Sequence, residues 1–202
     1  MSRVHPLLLL TIGVKAALLL VLAAADAFPD APAADANVMT GRVLAYPFAV
    51  VVVPLAWLLV RRARPGATYP YALDVLVVLP FLGDAASAVA GFHERVWWWD
   101  ELGHVACWAV LVAGVTLLLV RRTELPPAAA AGLGIGFGAV TAILWELAEF
   151  LVFLRHTTDP MLSYTDTLSD MALGLAGSTA AAVGVVLAAR AERADARATL
   201  VT

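Results

Sequence analysis

Six long apolar segments constrain the fold of this 202-residue chain more than any other feature. Each is close to the roughly 20 apolar residues that let a helix cross a bilayer. Inside a bilayer only helices and closed barrels pair every backbone polar group, and segments this long are helical. The sequence therefore predicts an all-α fold, a polytopic transmembrane helical bundle of six spans in a single integral membrane domain covering residues 1–202. The spans cover roughly 5–25, 43–60, 69–91, 101–120, 127–154 and 166–189.

The composition argues against a soluble domain and against nucleic-acid binding. Hydrophobic residues make up 62% of the chain and charged residues 14%, whereas a soluble domain carries about 25% charged residues. The basic residues are scattered near the ends of the apolar segments and form no basic stripe. The partner that the sequence predicts is therefore the lipid bilayer. The single cysteine, Cys107, excludes an intramolecular disulfide.

The arginines predict the orientation of the bundle. Most basic residues lie before the first span or after the second, fourth and sixth spans, and by the positive-inside rule these ends face the cytoplasm. Both termini are then cytoplasmic, with residues 26–42 as an extracytoplasmic loop and residues 190–202 as a cytoplasmic tail. The basic residues on this side are Arg3, Arg61, Arg62, Arg64, Arg121, Arg122, Arg190, Arg193 and Arg197.

The first span has a second interpretation as a cleaved signal peptide. Arg3 precedes the apolar run, and residues 23–25 are three alanines that resemble a cleavage site. The run is long for a signal peptide, however, and Lys15 interrupts it. We therefore expect the segment to be retained, and its cleavage would leave the orientation of the remaining spans unchanged.

Small residues in the last two spans predict close helix packing. The fifth span contains two overlapping pairs of glycines four residues apart, and the sixth contains two more glycines. Small residues at these spacings let helix backbones approach each other in a membrane. These glycines are Gly132, Gly134, Gly136 and Gly138 in the fifth span, and Gly174 and Gly177 in the sixth.

Three pairs of ionisable residues lie in the last three spans, and each pair shares one helix face. A charge at the bilayer centre costs at least about 2.5–3.5 kcal/mol, so these residues need a reason to be there. At a rise of 1.5 Å per residue, each inner member lies roughly 5–12 Å from the outer end of its span. The pairs are Asp100 with His104, Glu146 with Glu149, and Asp166 with Asp170, and Asp84 of the third span falls in the same outer half.

This set of side chains predicts a site for a divalent metal ion, mononuclear or dinuclear. Carboxylates with an imidazole suit Fe, Mn or Zn, and ligands of this kind project inward from helices in di-iron and di-manganese bundles. Open coordination positions would let the metal polarise a substrate or activate water. We therefore expect a membrane metalloprotein, acting as an enzyme on a lipid or small amphipathic substrate. The predicted ligands are Asp100, His104, Glu146, Glu149, Asp166 and Asp170, with Asp84 and Cys107 as candidates for a supporting role.

Other interpretations remain for the same residues. Asp100 and Asp166 are each placed to cap a helix N-terminus, where negative charge is favourable. Lys15, Asp74 and Asp84 extend polarity toward the inner half, which is typical of an ion- or proton-coupled transporter, although pairing of Lys15 with Asp74 or Asp84 would neutralise these charges. The third alternative is a structural or partner-binding membrane protein whose polar groups only join helices. The chain is an enzyme only under the metal interpretation.

Three short motifs resemble those of a known group of membrane proteins. They are Trp99-Asp100-x-x-x-His104, then Trp145-Glu146-x-x-Glu149-Phe150, then Thr165-Asp166-Thr167-x-x-Asp170-Met171 followed by Gly174. In this order, over about residues 70–190, they resemble the YjdF-like family of bacterial inner-membrane proteins and, more distantly, VanZ-like proteins. The resemblance implies a polyhelical fold in the bacterial plasma membrane with these acidic residues as its hallmark. It implies no particular reaction.

Overall fold

The predicted six-span helical bundle is confirmed. A computed structural model describes residues 6–27, 36–152 and 160–199, and these described residues contain helices and no strand. Six stretches are long and apolar enough to cross a membrane: Pro6–Ala27, Gly41–Ala63, Tyr71–Val89, Trp99–Arg122, Pro127–Leu151 and Tyr164–Ala194. The helices are α1 (Pro6–Ala27), α2 (Ala36–Ala45), α3 (Pro47–Ala63), α4 (Tyr71–Val89), α5 (Phe92–Arg95), α6 (Trp99–Arg122), α7 (Pro127–Val152) and α8 (Pro160–Thr199).

Several helix boundaries differ from those predicted. Residues 36–42, expected in a loop, belong to α2, which leads into α3 through Tyr46. Pro47 begins α3 at a position where its missing N–H would have no helical partner in any case. Helix α8 begins at Pro160, before the predicted start at residue 166, so Asp166 lies inside the helix and its predicted capping role is wrong. The helix also continues to Thr199, past the predicted start of the tail at residue 190. The described ranges exclude Arg3, residues 28–35 of the predicted loop, residues 153–154 of the predicted fifth span and residues 200–202 of the predicted tail.

Helix α6 lies at the centre of the bundle. It contacts α4 on one side and α7 and α8 on the other, and α7 and α8 also contact each other. Helix α4 in turn contacts α1 and α3. The residues of α6 are therefore in reach of both halves of the molecule, and the polar residues near its N-terminal end are enclosed by neighbours from other helices.

Glycines allow α8 to approach α6 and α7 closely. A Cβ on Gly177 would lie 3.0 Å from the carbonyl carbon of Val105 and closer still to its oxygen, and one on Gly174 would lie 2.7 Å from Trp108 Cδ1. A Cβ on Gly138 would collide with the Ser178 side chain. The predicted packing role is confirmed for these glycines and for Gly134, which faces Thr116, whereas Gly132 and Gly136 have open space beside them.

An ion pair neutralises the charges in the half of the bundle away from the paired motifs. Lys15 Nζ lies 2.6 Å from Asp74 Oδ2, and the Asp74 side chain is fully buried. The Tyr69 hydroxyl donates a hydrogen bond to the same oxygen. Burial and this hydrogen bond raise the pKa of Tyr69, so the phenol stays neutral. Of the two pairings predicted for Lys15, the one with Asp74 is confirmed.

Candidate functional site

His104 of α6 lies at the meeting point of three carboxylates from three helices. Its Nε2 atom is 3.7 Å from Asp170 Oδ2 of α8 and 3.9 Å from Asp100 Oδ2 of α6. On the other edge of the ring, Nδ1 is 3.8 Å from Glu146 Oε1 of α7. The imidazole is therefore placed between a pair of aspartates and a glutamate, and we call these four side chains the His104 cluster.

The two edges of the imidazole differ in their surroundings. On the Nε2 edge, one ligand atom each from Asp100, His104 and Asp170 lies within 4.8 Å of the other two. Asp170 and Glu146 are buried, whereas the Asp100 side chain is 52% exposed. The cluster is thus enclosed by α7 and α8 and is open to the surroundings through Asp100.

The buried polar atoms of this region are not satisfied by hydrogen bonds. Within the described part of the chain, His104 Nδ1, Glu146 Oε1 and Glu149 Oε2 are buried and have no hydrogen-bond partner. The distances of 3.7–3.9 Å around His104 exceed the usual hydrogen-bond length of about 2.7–3.2 Å. Buried polar groups in native proteins nearly always have partners. The His104 cluster is therefore not a completed hydrogen-bond network.

The six predicted ligands do not all converge. Asp166 is exposed on α8 and is not among the three residues whose ligand atoms come together. Glu149 is partly buried one turn beyond Glu146 and is also outside that group. Asp100 lies in the first turn of α6, where the helix dipole favours its negative charge, but the N-cap position is Trp98, and Asp100 approaches His104. Three of the six residues, Asp100, His104 and Asp170, thus form one group of possible ligands. Glu146 lies beside the other ring nitrogen of His104, Nδ1.

A second polar cluster, missed from the sequence, surrounds Asp84. Arg42 donates to both carboxylate oxygens, with Nε 2.7 Å from Oδ2 and Nη2 3.0 Å from Oδ1. The Tyr46 hydroxyl also donates to Oδ2, and His93 Nε2 lies 3.6 Å from Oδ1. Asp84 is therefore paired with Arg42 and not with Lys15. The sequence signal for this pair was Arg42, one residue before the predicted second span. Because Arg42 was assigned to the extracytoplasmic loop, its pairing with Asp84 was not predicted.

A cavity of about 260 Å³ connects the two clusters. Asp84 and His93 of one cluster line it together with Asp100 and His104 of the other. Cys107 is also part of the wall, with its sulfur 4.0 Å from the Pro80 carbonyl oxygen. Most of the remaining wall is apolar and aromatic, from Tyr46, Phe81, Trp99, Trp108 and Trp145. The His104 cluster therefore borders a chamber suited to an apolar group.

A comparison with protein families assigns the chain to a known group. The family described as predicted membrane protein (DUF2238) matches residues 7–191. The chain belongs to this family. The match includes both polar clusters and nearly all of the six spans of this DUF2238 protein. No curated protein and no solved structure matches the chain. The narrower resemblance to YjdF-like and VanZ-like proteins stays a prediction.

Proposed function

We propose that this DUF2238 protein binds a divalent metal ion through His104 Nε2 and the carboxylates of Asp100 and Asp170. The observation that carries the proposal is the grouping of these three ligand atoms within 4.8 Å. Ligands about 2.0–2.2 Å from an ion lie at most about 4.4 Å apart, so a small inward movement of the side chains completes the coordination. An imidazole with two carboxylates and no thiolate suits Fe, Mn or Zn.

Glu146 supports the proposal from the other edge of the imidazole. Histidine ligands usually donate their second ring N–H to a carboxylate or carbonyl, which fixes the tautomer and the ring orientation. Glu146 Oε1 is 3.8 Å from His104 Nδ1, and neither buried atom has another partner within the described residues. A slight rotation lets Nδ1–H donate to Glu146 while Nε2 binds the metal.

Charge also favours a cation at this position. Asp170 and Glu146 are buried on opposite edges of the His104 imidazole, and Asp100 adds a third carboxylate. Carboxylates inside a membrane are costly unless a positive charge pairs with them. Among the described residues, the salt bridges of Lys15 and Arg42 are to Asp74 and Asp84. A divalent ion would supply the charge that the His104 cluster lacks.

We further propose that the metal serves catalysis on a lipid or small amphipathic substrate. One imidazole and two carboxylates leave coordination positions open, at which a metal can polarise a substrate group or activate a water molecule. The apolar chamber between α4 and α6 borders this position and would hold the apolar part of such a substrate. By the arginine distribution, the site would face the extracytoplasmic side, and the resemblance to YjdF-like proteins implies that the membrane is a bacterial plasma membrane.

Two observations argue against the other interpretations, an ion- or proton-coupled transporter and a structural or partner-binding protein. A transport path would need free ionisable groups through the thickness of the membrane, but Asp74 and Asp84 are each held in an ion pair. A purely structural polar network would be expected to satisfy its buried members. The unpaired atoms of His104 and Glu146 do not fit that expectation. Asp74 Oδ1 and His93 Nδ1 are also unpaired, but their clusters contain Lys15 and Arg42 as counter-ions, which the His104 cluster lacks among the described residues.

Metal content tests the proposal directly. The protein is purified without chelators, and bound metals are measured by inductively coupled plasma mass spectrometry. The wild type should hold about one Fe, Mn or Zn per chain, because the three-residue group offers one set of ligands. His104→Ala should lose it, whereas His93→Ala, which changes a histidine that lines the same chamber but lies outside the group of three, should keep it. A wild type without stoichiometric metal, or equal loss in both variants, would sink the proposal.

A further inference from the structure

A second cavity, of about 660 Å³, lies at the opposite end of the same central helix from the His104 cluster. Its wall comes from the ends of α3 and α6, the start of α4 and the loop of residues 64–70. The volume falls within the range of about 300–1,000 Å³ that is typical of ligand pockets. The two cavities share no lining residue, so this one needs an explanation of its own. We call it the arginine cavity.

Three arginines at the helix ends give the cavity its charge. Arg61 lies in the last turn of α3, and Arg121 and Arg122 lie in the last turn of α6, where the helix dipole favours cations. The Arg61 guanidinium is held 5.0 Å from the centroid of the Trp57 ring, a cation–π contact. Trp57 in turn donates its indole N–H to the Ala67 carbonyl, 3.1 Å away, and so fixes the loop that closes the cavity.

Nothing in the lining offsets this positive charge. None of the described residues that line the arginine cavity is an aspartate or a glutamate. Tyr69, which does line it, stays neutral because burial and its bond to Asp74 raise its pKa. Asp74 itself is paired with Lys15. The cavity is therefore a positive site without an internal counter-ion.

The wall of the cavity is also amphipathic along the helix axis. Leu117 and Leu118 lie about one turn further into the bundle than Arg121 and Arg122, since a turn of helix is 3.6 residues. Leu73 of α4 and Leu7 of α1 add to this apolar part. A ligand that fits both parts has a negative head at the end of the bundle and an apolar chain directed into it.

We propose that the arginine cavity binds an anionic phospholipid, with its phosphate at the arginines and an acyl chain along the leucines. Guanidinium groups bind phosphate oxygens in a bidentate geometry, which a lysine does not match. The position at the ends of α3 and α6 is where headgroups of a surrounding bilayer lie. This site is independent of the metal proposal, because no residue is common to both.

Competition between two lipids tests the proposal. The full chain in detergent is mixed with equal amounts of phosphatidylglycerol and phosphatidylcholine with the same acyl chains, and bound lipid is counted by native mass spectrometry. The wild type should retain phosphatidylglycerol preferentially. Arg61→Gln with Arg121→Gln should weaken this binding about tenfold or more, because it removes two of the three guanidinium groups that line the cavity and would bind the phosphate.

A matched variant removes the same charge outside the cavity. Arg62 and Arg64 lie at the same end of α3 but do not line the cavity. Arg62→Gln with Arg64→Gln should therefore bind phosphatidylglycerol as the wild type does. Equal loss in the two double variants would mean general attraction to the surface and would overturn the proposal.

Two further measurements separate a lipid site from other causes. Ala72→Trp keeps every arginine but fills part of the cavity, because Ala72 lines it from α4; it should also lose phosphatidylglycerol, and unchanged binding would overturn the assignment to this cavity. Inorganic phosphate at millimolar concentration should leave the lipid bound. If phosphate alone displaces it, the ligand is the free anion and the phospholipid proposal is wrong. Monodisperse elution of each variant in gel filtration confirms that it is folded.

Discussion

At the scale of single residues, charges inside this bundle are explained by their partners. Lys15 with Asp74 and Arg42 with Asp84 are close ion pairs between different helices. The charged residues of the His104 cluster have no such salt bridge to lysine or arginine within the described residues. This contrast separates the two kinds of ionisable residue. The paired ones join helices, and the unpaired ones are available to bind a cation.

Breaking the Lys15–Asp74 pair should destabilise the protein strongly. Lys15→Met leaves the fully buried Asp74 carboxylate without its cation, and removing one partner of a buried pair costs about 3–5 kcal/mol. Unfolding by sodium dodecyl sulfate, followed by tryptophan fluorescence, measures the change. The double variant Lys15→Met with Asp74→Asn should recover part of the loss because no charge remains to be buried. A double variant less stable than the single one would contradict the structural role of this pair.

At the scale of elements, the contact between α6 and α8 positions the His104 cluster. Gly174 and Gly177 of α8 pack against Trp108 and Val105 of α6, within about one turn of His104. Because these glycines lack side chains, α8 comes close enough to bring Asp170 to 3.7 Å from His104. The distance between the two helices therefore controls whether the ligand atoms meet.

A side chain at Gly177 should push α8 away from α6. Gly177→Ala places its Cβ against the backbone of Val105, which cannot move without moving α6. Overpacking of this kind costs about 1–3 kcal/mol of unfolding free energy, and metal content should fall with it. Gly184→Ala is the control on the same helix, since a Cβ there meets nothing within 4 Å. Equal stability of the two variants in detergent unfolding would show that the contact does not set the helix separation.

Helical spacing was enough to predict part of the site and not the rest. A spacing of three or four residues places two side chains on one face, and this identified Asp100, His104 and Asp170 as candidates. It does not show how far a helix is rotated about its axis, so it could not predict that Asp100 joins this group whereas Glu149 does not. The pairing of Arg42 with Asp84 depends on where α2 and α3 begin, and hydropathy locates helix ends only to within a few residues.

At the scale of the whole molecule, hydropathy alone predicted six spans, because each must match the thickness of the bilayer. Hydropathy did not predict which helices pack together, because the central position of α6 depends on contacts between distant parts of the chain. The orientation of the bundle rests on its arginines, and it determines which side of the membrane the His104 cluster faces.

Cysteine labelling tests that orientation. In a Cys107→Ser background, the described residues contain no other cysteine. Trp97→Cys, at a highly exposed residue just before α6, should react with a membrane-impermeant maleimide added to intact spheroplasts. Gly66→Cys, in the loop between α3 and α4, should react only after lysis. The reverse pattern would place the His104 cluster on the cytoplasmic side.

The most direct measurement of the central claim compares two aspartates one turn apart on α8. Asp170 is buried beside His104, whereas Asp166 is exposed and outside the group of three possible ligands. Each is changed to asparagine, and the metal bound per chain is measured in the purified protein. We predict that Asp170→Asn loses the metal and that Asp166→Asn keeps it. Equal metal content in the two variants, or loss only in Asp166→Asn, would contradict a site built on His104, Asp100 and Asp170.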